Sequence, residues 1–288
     1  MNAASQAWYG VDDLTDSDLK LYFDSPNVDP ARDVRLAERD GEVVGYADIF
    51  DENGWHTRYW FDVRLHPTEG DEAVAASLVS WFEARTAGEA KPGAFLRGFL
   101  QAENEVAKRV LERKGYGRIR HSYRMAIDLP EEVPEPSWPD GITVRSMLEG
   151  EEQAVYEVNE ECFADHWEHE REPFDEWAHW TLGRDSFDPT LWFLALDDGR
   201  IAGYAVCRPW DAEPGMGWVD LLGVRRPWRR RGLAQALLRH VFREFAARGF
   251  RKVGLGVDAE SLTGANVLYE RVGMRVVRRF DVYQRDLA

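Results

Sequence analysis

Apolar residues recur at two different spacings along this chain, and these spacings predict alternating helices and strands. Between Gly232 and Arg248 the apolar residues recur every three or four positions, which is typical of a helix with one buried face. The residues of that face are Leu233, Leu237, Leu238, Val241, Phe242 and Phe245. At Ile142–Leu148 apolar and polar residues alternate instead, which predicts a half-buried strand.

The second half of the chain mixes both patterns. The predicted strands are Ile142–Leu148, Leu191–Leu196, Ile201–Arg208, Trp218–Val224, Lys252–Val257 and Met274–Leu287, the last as two short strands or one bent ribbon. The predicted helices are Glu151–His166, Pro173–Leu182, Gly232–Arg248 and Thr263–Val272. The Asp-Asp-Gly-Arg turn at 197–200 joins two of the strands as a hairpin.

The first half repeats much of this order. Its predicted strands are Val34–Glu38, Val43–Ile49, Thr57–Leu65, Phe95–Gln101 and Tyr123–Leu129, and its predicted helices are Asp16–Phe23, Glu72–Arg85 and Glu105–Lys114. The segment LERKGYG (111–117) matches YERVGMR (269–275) in position and character. We therefore interpret the halves as two diverged copies of one α/β unit.

Four prolines between Leu129 and Gly141 exclude both a helix and a central strand there. The prediction is a first domain at 1–129, a Pro-rich linker at 130–141 and a second domain at 142–288. A chain of 288 residues is long enough for two domains. Its hydrophobic content of 44% supports packed cores.

Composition also narrows the partners and the compartment. No apolar run reaches 18 residues and no signal peptide is visible, so we expect no membrane span. The chain has only two cysteines, Cys162 and Cys207, which is typical of a protein of the reducing cytoplasm. Neither lies near other metal-ligating residues in the sequence, so we interpret both as small core residues. The net charge of −16 disfavours nucleic acid and anionic membranes as partners.

The positive charge is concentrated in one segment. The segment from Val224 to Lys252 contains ten Arg or Lys residues and a single acidic residue, Glu244. Within it, Gly223–Ala234 joins a predicted strand to the long predicted helix, and a helix begins with unpaired N–H groups and a positive dipole end. Arginines and Gly232 at such a turn favour a phosphate site over a solvated loop or an RNA-binding patch that includes Trp228.

The spacing Arg229-x-x-Gly232-x-Ala234, preceded by LLGVRRPW and followed by LAQALL, resembles the coenzyme A pyrophosphate motif of the GNAT superfamily of N-acyltransferases. The downstream segment GLGVDAESLTGANVLYERVGMRVV resembles that family's second cofactor segment. The resemblance implies an α/β (α+β) fold in which each of two tandem domains has a mixed, splayed central β-sheet flanked by helices. It also implies acetyl-CoA as co-substrate, with no metal.

The same resemblance implies which residues bind the cofactor. Backbone groups near Leu222 and Val224 hold the pantetheine arm, and the turn from Arg229 holds the pyrophosphate. The full set is Leu222, Gly223, Val224, Arg229, Arg230, Arg231, Gly232, Leu233, Ala234 and Asn266. Tyr269, three residues after Asn266 and therefore on the same helix face, protonates the coenzyme A sulfur by this resemblance. A core aromatic is the alternative interpretation of Tyr269.

The base and the acceptor site are less determined. Asp220 lies two and four residues before Leu222 and Val224, so regular strand alternation places all three on one face and makes Asp220 a candidate base. His166 and Glu161 are weaker candidates. The acidic segment 159–177 lies where GNAT domains build the acceptor site, and Asp165, His166 and Glu168 are candidate substrate contacts.

The first half lacks the arginine motif and has the acidic segment Leu65–Glu72 in its place. Lys108 and Leu111 stand where the second half has Asn266 and Tyr269. A degenerate first copy without a cofactor site resembles the tandem arrangement of mycothiol synthase and its relatives. We expect a monomer with an intramolecular pseudo-dimer, although a homodimer stays open.

The predicted function is acetyl-CoA-dependent transfer of an acetyl group to a primary amine of a small, cationic molecule. The amine attacks directly in a ternary complex, because no Cys or Ser stands in a nucleophile setting near the motif. Acetylation of a protein or peptide amine and a non-catalytic acyl-CoA-binding regulator are the alternatives.

Overall fold

The computed structural model describes residues 15–167, 169–261 and 264–287. Its helices are α1 (Asp16–Phe23), α2 (Pro30–Asp33), α3 (Glu72–Ala87), α4 (Glu105–Arg113), α5 (Glu152–Phe163), α6 (Phe174–Leu182), α7 (Leu233–Ala247) and α8 (Ala265–Arg271). Its strands are β1 (Val34–Arg39), β2 (Glu42–Asp51), β3 (Arg58–Leu65), β4 (Phe95–Gln101), β5 (Gly117–Asp128), β6 (Ile142–Ser146), β7 (Trp192–Asp197), β8 (Arg200–Pro209), β9 (Met216–Val224), β10 (Lys252–Asp258) and β11 (Arg275–Asp286).

The predicted helices and strands are present, with most ends within three residues of the prediction. Three details differ. The short helix α2 was not predicted, β5 begins six residues early at Gly117, and the final segment is one strand, β11. The predicted start of the last helix, Thr263, lies outside the described residues.

The chain forms two compact units whose boundary differs from the predicted one. The first unit contains the residues up to Ser122 together with those from Arg278 onward, and the second contains Tyr123–Val277. The end of β11 therefore belongs to the first unit, and the Pro-rich segment belongs to the second. The sequence repeat could not predict this exchange, because both halves end in a similar strand.

The first unit has the strand order β1-β2-β3-β4-β11, followed by the first half of β5. Strands β1, β2 and β3 are antiparallel neighbours, β3 and β4 are parallel, and β11 runs antiparallel to β4. Phe280 lies opposite Gln101 and Asp286 lies opposite Phe95. The sheet packs on α3 and α4 around Phe82, Leu96 and Leu111.

The second unit has the strand order β5-β10-β9-β8-β7-β6. Strands β6 to β9 are antiparallel, and β9 pairs in parallel with β10. One face of this sheet packs on α7 through a large apolar cluster, and the other packs on α5 and α6 through a second cluster. The predicted fold, a mixed sheet flanked by helices, is confirmed.

The Pro-rich segment lies against α7 and does not act as a free linker. Val133 is buried in the α7 cluster, and its carbonyl accepts a hydrogen bond from Arg243 Nη1 at 3.3 Å. The Trp138 ring contacts the His240 ring at a centroid distance of 5.8 Å. The Pro-rich segment is therefore packed against the surface of the second unit.

Among the described residues, none of the helices has the length and apolar composition that a bilayer crossing requires.

The C-terminal strand is bound to the first unit by a buried charge cluster. The Asp281 carboxylate has no exposed surface and lies 3.0 Å from Lys108 Nζ and 2.8 Å from His121 Nδ1. Burial alone would raise the pKa of Asp281, but hydrogen bonds from Lys108 and His121 outweigh it and hold that pKa below its usual value. Lys108 is thus a structural residue of the first unit.

We expect Asp281→Asn to lower the free energy of unfolding by about 3 kcal/mol, because the buried Lys108 ammonium loses its buried counter-charge. Asp286→Asn, at an exposed position of the same strand, should change it by less than about 0.5 kcal/mol. Urea denaturation followed by circular dichroism measures both. An Asp281→Asn variant as stable as Asp286→Asn would contradict the structural role of the cluster.

Candidate active site

The two parallel strands of the second unit separate partway along their length. Pairing between β9 and β10 runs from Met216 opposite Lys252 to Val219 opposite Leu255. In the described strands this pairing ends there, whereas β9 continues beside β8 to Val224. A wedge-shaped opening therefore lies between the second half of β9 and the end of β10.

A β-bulge in β9 marks the point where the opening begins. Leu221 lies opposite Val206 and Val219 lies opposite Cys207, so Asp220 is an extra residue in the register of β9 against β8. The bulge reverses the alternation, so Leu222 and Val224 pack toward α7, whereas Asp220 bonds to Arg208 on the opposite face. The expectation that Asp220, Leu222 and Val224 share one face was therefore wrong.

The hydrogen-bond alternation of β9 directs backbone groups into the opening. The Arg225 N–H donates to the Ala202 carbonyl at 3.0 Å, so the N–H and C=O of every second residue, including Gly223, face β8. Those of Leu222 and Val224 face the opening. The Val224 carbonyl accepts a hydrogen bond from Arg229 Nε at 2.9 Å, which leaves three outward groups for a ligand.

The turn between β9 and α7 presents a row of backbone donors. Arg230 (φ 62°) and Gly232 (φ 85°) have left-handed conformations, and Gly232 begins the helix without a side-chain cap. In the described structure, the N–H groups from Arg230 to Gln235 have no intramolecular acceptor. Such a sequence of conformations, followed by a helix N-terminus, is a typical anion-binding concavity.

Acidic side chains at the end of α5 bind the arginines that begin the turn. Glu161 pairs with Arg225 at 2.7 Å, and Asp165 pairs with both Arg226 and Arg229. Hydrogen bonds from Arg226 and then Arg229 lower the pKa of Asp165 to about 2. Asp165 and Glu161 thus support the turn, and the predicted contact of Asp165 with the substrate stays a prediction.

Arg229 also differs from its expected role, because its side chain supports the turn from within. Its Nη2 donates to the Cys162 carbonyl at 3.1 Å, in addition to its bonds with Val224 and Asp165. Arg230 and Arg231 are exposed and have no ion-pair partner among the described residues. The cations available to a bound anion are therefore Arg230 and Arg231.

Trp228 fixes the turn to the neighbouring hairpin. Its side chain is buried, and its Nε1 donates to Asp197 Oδ2 at 2.7 Å. The Arg200 and Arg225 guanidinium groups lie over the ring at 5.3 and 5.7 Å. A buried indole cannot stack on bases, so the alternative of an RNA-binding patch loses its aromatic component. No pattern in the sequence indicates the hydrogen bond between Trp228 and Asp197.

Three other predicted cofactor-binding residues, Gly223, Leu233 and Ala234, differ in how their side-chain positions are packed. A Cβ atom on Gly223 would collide with the Tyr204 ring and lie 3.1 Å from Cys162 Cβ, so this glycine makes room for the buried Tyr204. The Leu233 side chain is buried in the core, whereas Ala234 is half-buried in the first helical turn. Only the backbone N–H groups of Leu233 and Ala234 are therefore available to a ligand.

Tyr269 and Asn266 lie on α8, close to the end of β10. Asn266 Nδ2 donates to the carbonyls of Asp258 and Ala259 at 3.3 and 2.9 Å, whereas its buried Oδ1 has no partner in the described structure. Tyr269 is 8% exposed, and burial raises its pKa to about 12. Its hydroxyl makes no hydrogen bond to any described residue.

The remaining predicted substrate contacts are not brought together. His166 is exposed, and its ring packs against Phe163 at 5.1 Å. Glu168 lies outside the described residues. Elsewhere in the acidic segment, Glu160 lies 3.2 Å from His169. Glu160, Glu161 and Asp165 of this segment are thus engaged in internal pairs, whereas Asp220 lies one residue beyond the last β9–β10 pair.

In the first unit, the two parallel strands also separate and a helix also begins nearby, but side chains of the unit itself occupy these positions. Pairing of β3 with β4 ends at Phe61 and Gly98, and beyond it Asn104 Nδ2 donates to the Val63 carbonyl at 3.2 Å. Asp71 caps α3 by accepting from the N–H groups of Ala73 and Val74. A cavity of about 430 Å³ nearby is lined by residues that include two glutamates, Glu103 and Glu105. An internal carboxylate therefore stands at this helix N-terminus.

Comparison with known proteins agrees with this geometry. Residues 152–274 match the Acetyltransferase (GNAT) family. The chain is 32% identical over 226 residues to a mycothiol acetyltransferase of Streptomyces avermitilis, which covers 73% of this chain and 71% of that protein. The chain belongs to the GNAT family and is an N-acetyltransferase.

Other relatives extend the match over nearly the whole chain. A mycothiol acetyltransferase of Salinispora arenicola is 29% identical and spans 89% of this chain and 82% of its own length. The crystal structure of a GCN5-related N-acetyltransferase from Sphaerobacter thermophilus is 33% identical, with a TM-score of 0.81 over 99% of this chain and 90% of that one. A tandem GNAT protein from the clavulanic acid biosynthesis pathway, 15% identical, shares the fold with a TM-score of 0.69 over 95% of this chain and 88% of that one.

The left-handed conformation of Gly232 gives a direct test of the turn. We expect Gly232→Ala to lower the free energy of unfolding by about 1 kcal/mol, because a Cβ atom is strained at this φ although the space around it is open. Gly88→Ala is the matched control, since Gly88 also lies in open space at a helix end but has a φ of −87°. Chemical denaturation that shows equal effects would contradict this geometry.

Proposed function

We propose that this N-acetyltransferase uses acetyl-CoA to acetylate a primary amine of a small molecule in its second unit. The row of unpaired N–H groups from Arg230 to Gln235 is the observation that supports the proposal best, because such a row at a helix N-terminus suits a bound diphosphate. The amine is cationic at neutral pH and must lose a proton before it attacks.

The residues around the opening fit the parts of coenzyme A. Arg230 and Arg231 supply positive charge beside the N–H row for the pyrophosphate. The outward backbone groups of Leu222 and Val224 are available to the amides of the pantetheine arm. The unpaired Asn266 Oδ1 is a buried acceptor, and buried acceptors are normally satisfied, so an amide N–H of the same arm is a suitable donor.

Tyr269 supports the proton transfer that completes the reaction. Acetyl-CoA supplies an activated thioester, and the amine nitrogen bonds to the acyl carbon as the carbon–sulfur bond breaks. With a pKa of about 12, the Tyr269 phenol stays protonated at neutral pH and donates its hydrogen bond to the departing sulfur. The proton lost by the amine passes to Asp220 or to water.

Direct attack fits the state of the two cysteines. Burial raises the pKa of Cys162 to about 12, and that of the fully buried Cys207 is also raised. Neither thiol forms the thiolate that a covalent acyl intermediate would need.

In the first unit, the Asp71 cap and the Asn104 bridge take the positions of a ligand, so we propose that this unit binds no cofactor.

The double variant Arg230→Glu, Arg231→Glu should weaken coenzyme A binding by well over tenfold, since repulsion replaces charge-assisted hydrogen bonds to the pyrophosphate. Isothermal titration calorimetry measures this, and the wild type should bind one molecule per chain. Arg275→Glu, an exposed arginine of the same unit, is the control and should leave the affinity unchanged. An unaltered affinity in the double variant would refute the assignment of the turn.

Tyr269→Phe should lower kcat about 10²-fold or more while KM for acetyl-CoA stays nearly constant, because the phenol acts on the leaving sulfur and not on binding. The hydroxyl accepts no hydrogen bond from a described residue, so its removal leaves the packing intact. Initial rates of thiol release measure both parameters. Because the pKa of Tyr269 is raised to about 12, its deprotonation should not reduce kcat at any pH below about 10. A variant with full kcat would show that Tyr269 is a core aromatic.

A further inference from the structure

A layer of indole rings and arginines lies on the sheet beside Asp220, and cofactor binding as proposed above does not use it. The Trp210 and Trp218 ring centroids are 4.2 Å apart. The Arg124 guanidinium lies over both rings at 5.0 and 5.4 Å, and the Arg208 guanidinium lies over Trp210 at 4.9 Å. All four residues belong to the second unit.

This layer adjoins the start of the opening between β9 and β10. Trp218 packs over the bare backbone of β10, where a Cβ atom on Gly256 would lie 4.0 Å from Trp218 Cζ2. Gly256 and Asp220 are the first residues beyond the last β9–β10 pair, and both are exposed. A molecule that lies on the indoles therefore has Asp220 and the opening next to it.

Arg208 has an unused donor at this position. The residue is only 6% exposed, its Nε donates to Asp220 at 3.0 Å, and its Nη1 donates to the Pro209 carbonyl at 3.3 Å. Among the described residues, Arg208 Nη2 has no hydrogen-bond acceptor. Because this nitrogen is not fully buried, an acceptor group of a bound molecule can reach it. A carboxylate suits this position, because it makes a charge-assisted hydrogen bond with a guanidinium N–H.

The geometry points to an acceptor in which the amine and a carboxylate stand on the same carbon, as in an α-amino acid. Asp220 receives the ammonium, and Arg208 Nη2 binds the carboxylate. Because Asp220 contacts the same guanidinium through Nε, the two charged groups of the acceptor must be close neighbours. The half-buried indole of Trp210 contacts the rest of the molecule, and Arg124 adds a second positive charge. This inference rests on the proposed function and specifies its substrate class.

The test compares matched amines under steady-state conditions with acetyl-CoA, by thiol release. Each set contains an amino acid, its carboxamide, and the amine that lacks the carboxyl group; phosphoethanolamine tests phosphate as the anionic group. One set has a small side chain and another has an aromatic one. The inference predicts that kcat/KM is at least tenfold higher for the acid than for its carboxamide. Equal or lower values for the acid, or a preference for phosphoethanolamine, would overturn it.

The variant Arg208→Gln tests whether Arg208 causes the preference for the amino acid over its carboxamide. The variant should raise KM for the acid by at least tenfold and bring the ratio of acid to carboxamide near one, whereas Arg208→Lys should restore part of the preference. Arg275→Gln is the control, since Arg275 is exposed and its ion-pair partner, the exposed Asp128, is not a member of the layer. An acid preference that survives in Arg208→Gln would refute the role of Arg208.

The outcomes separate this inference from the function on which it rests. If amines without a carboxylate and the amino acids are acetylated with equal kcat/KM, the enzyme is an acetyl-CoA-dependent N-acetyltransferase and only the inferred substrate class is wrong. If coenzyme A does not bind, or no small amine is acetylated, the proposed function itself fails and this inference fails with it.

Discussion

The separation of β9 from β10 after Val219 is the feature on which the rest of the site depends. Two parallel strands that stayed paired would satisfy their backbone groups with each other. Because the pairing ends there, Leu222 and Val224 direct unpaired groups into a wedge at the middle of the sheet. The Asp220 bulge stands at the same point and places a carboxylate on the face opposite α7.

Ion pairs between α5 and the turn keep this opening in shape. Glu161 and Asp165 bind three of the five arginines between 225 and 231, and Trp228 is anchored by Asp197. These internal contacts stabilise the turn and its left-handed residues, and with them the row of N–H groups. Preorganisation of this kind lowers the entropy cost of binding. In the first unit, Asp71 and Asn104 satisfy the equivalent backbone groups from within.

The sequence predicted the elements well because their patterns are local. The stripe from Leu233 to Phe245 and the strand-turn-helix order at Gly232 depend on near neighbours alone. It could not predict the bulge, since one extra residue in the register of β9 leaves no mark on the composition and yet moves Asp220 to the opposite face from Leu222. Nor could it assign the ion pair of Asp165 with Arg229, whose two residues are 64 positions apart in the chain. The exchange of β11 into the first unit depends on Asp281 meeting Lys108 across 173 positions.

We expect one coenzyme A molecule to bind per chain, with its pyrophosphate on the backbone of the turn after β9. A crystal structure of the chain with coenzyme A is the decisive measurement. The pyrophosphate oxygens should lie within hydrogen-bond distance of the N–H groups of residues 230–235, and no second molecule should lie in the first unit. Density for coenzyme A at the N-terminus of α3, or its absence from the turn at saturating concentration, would refute this binding mode.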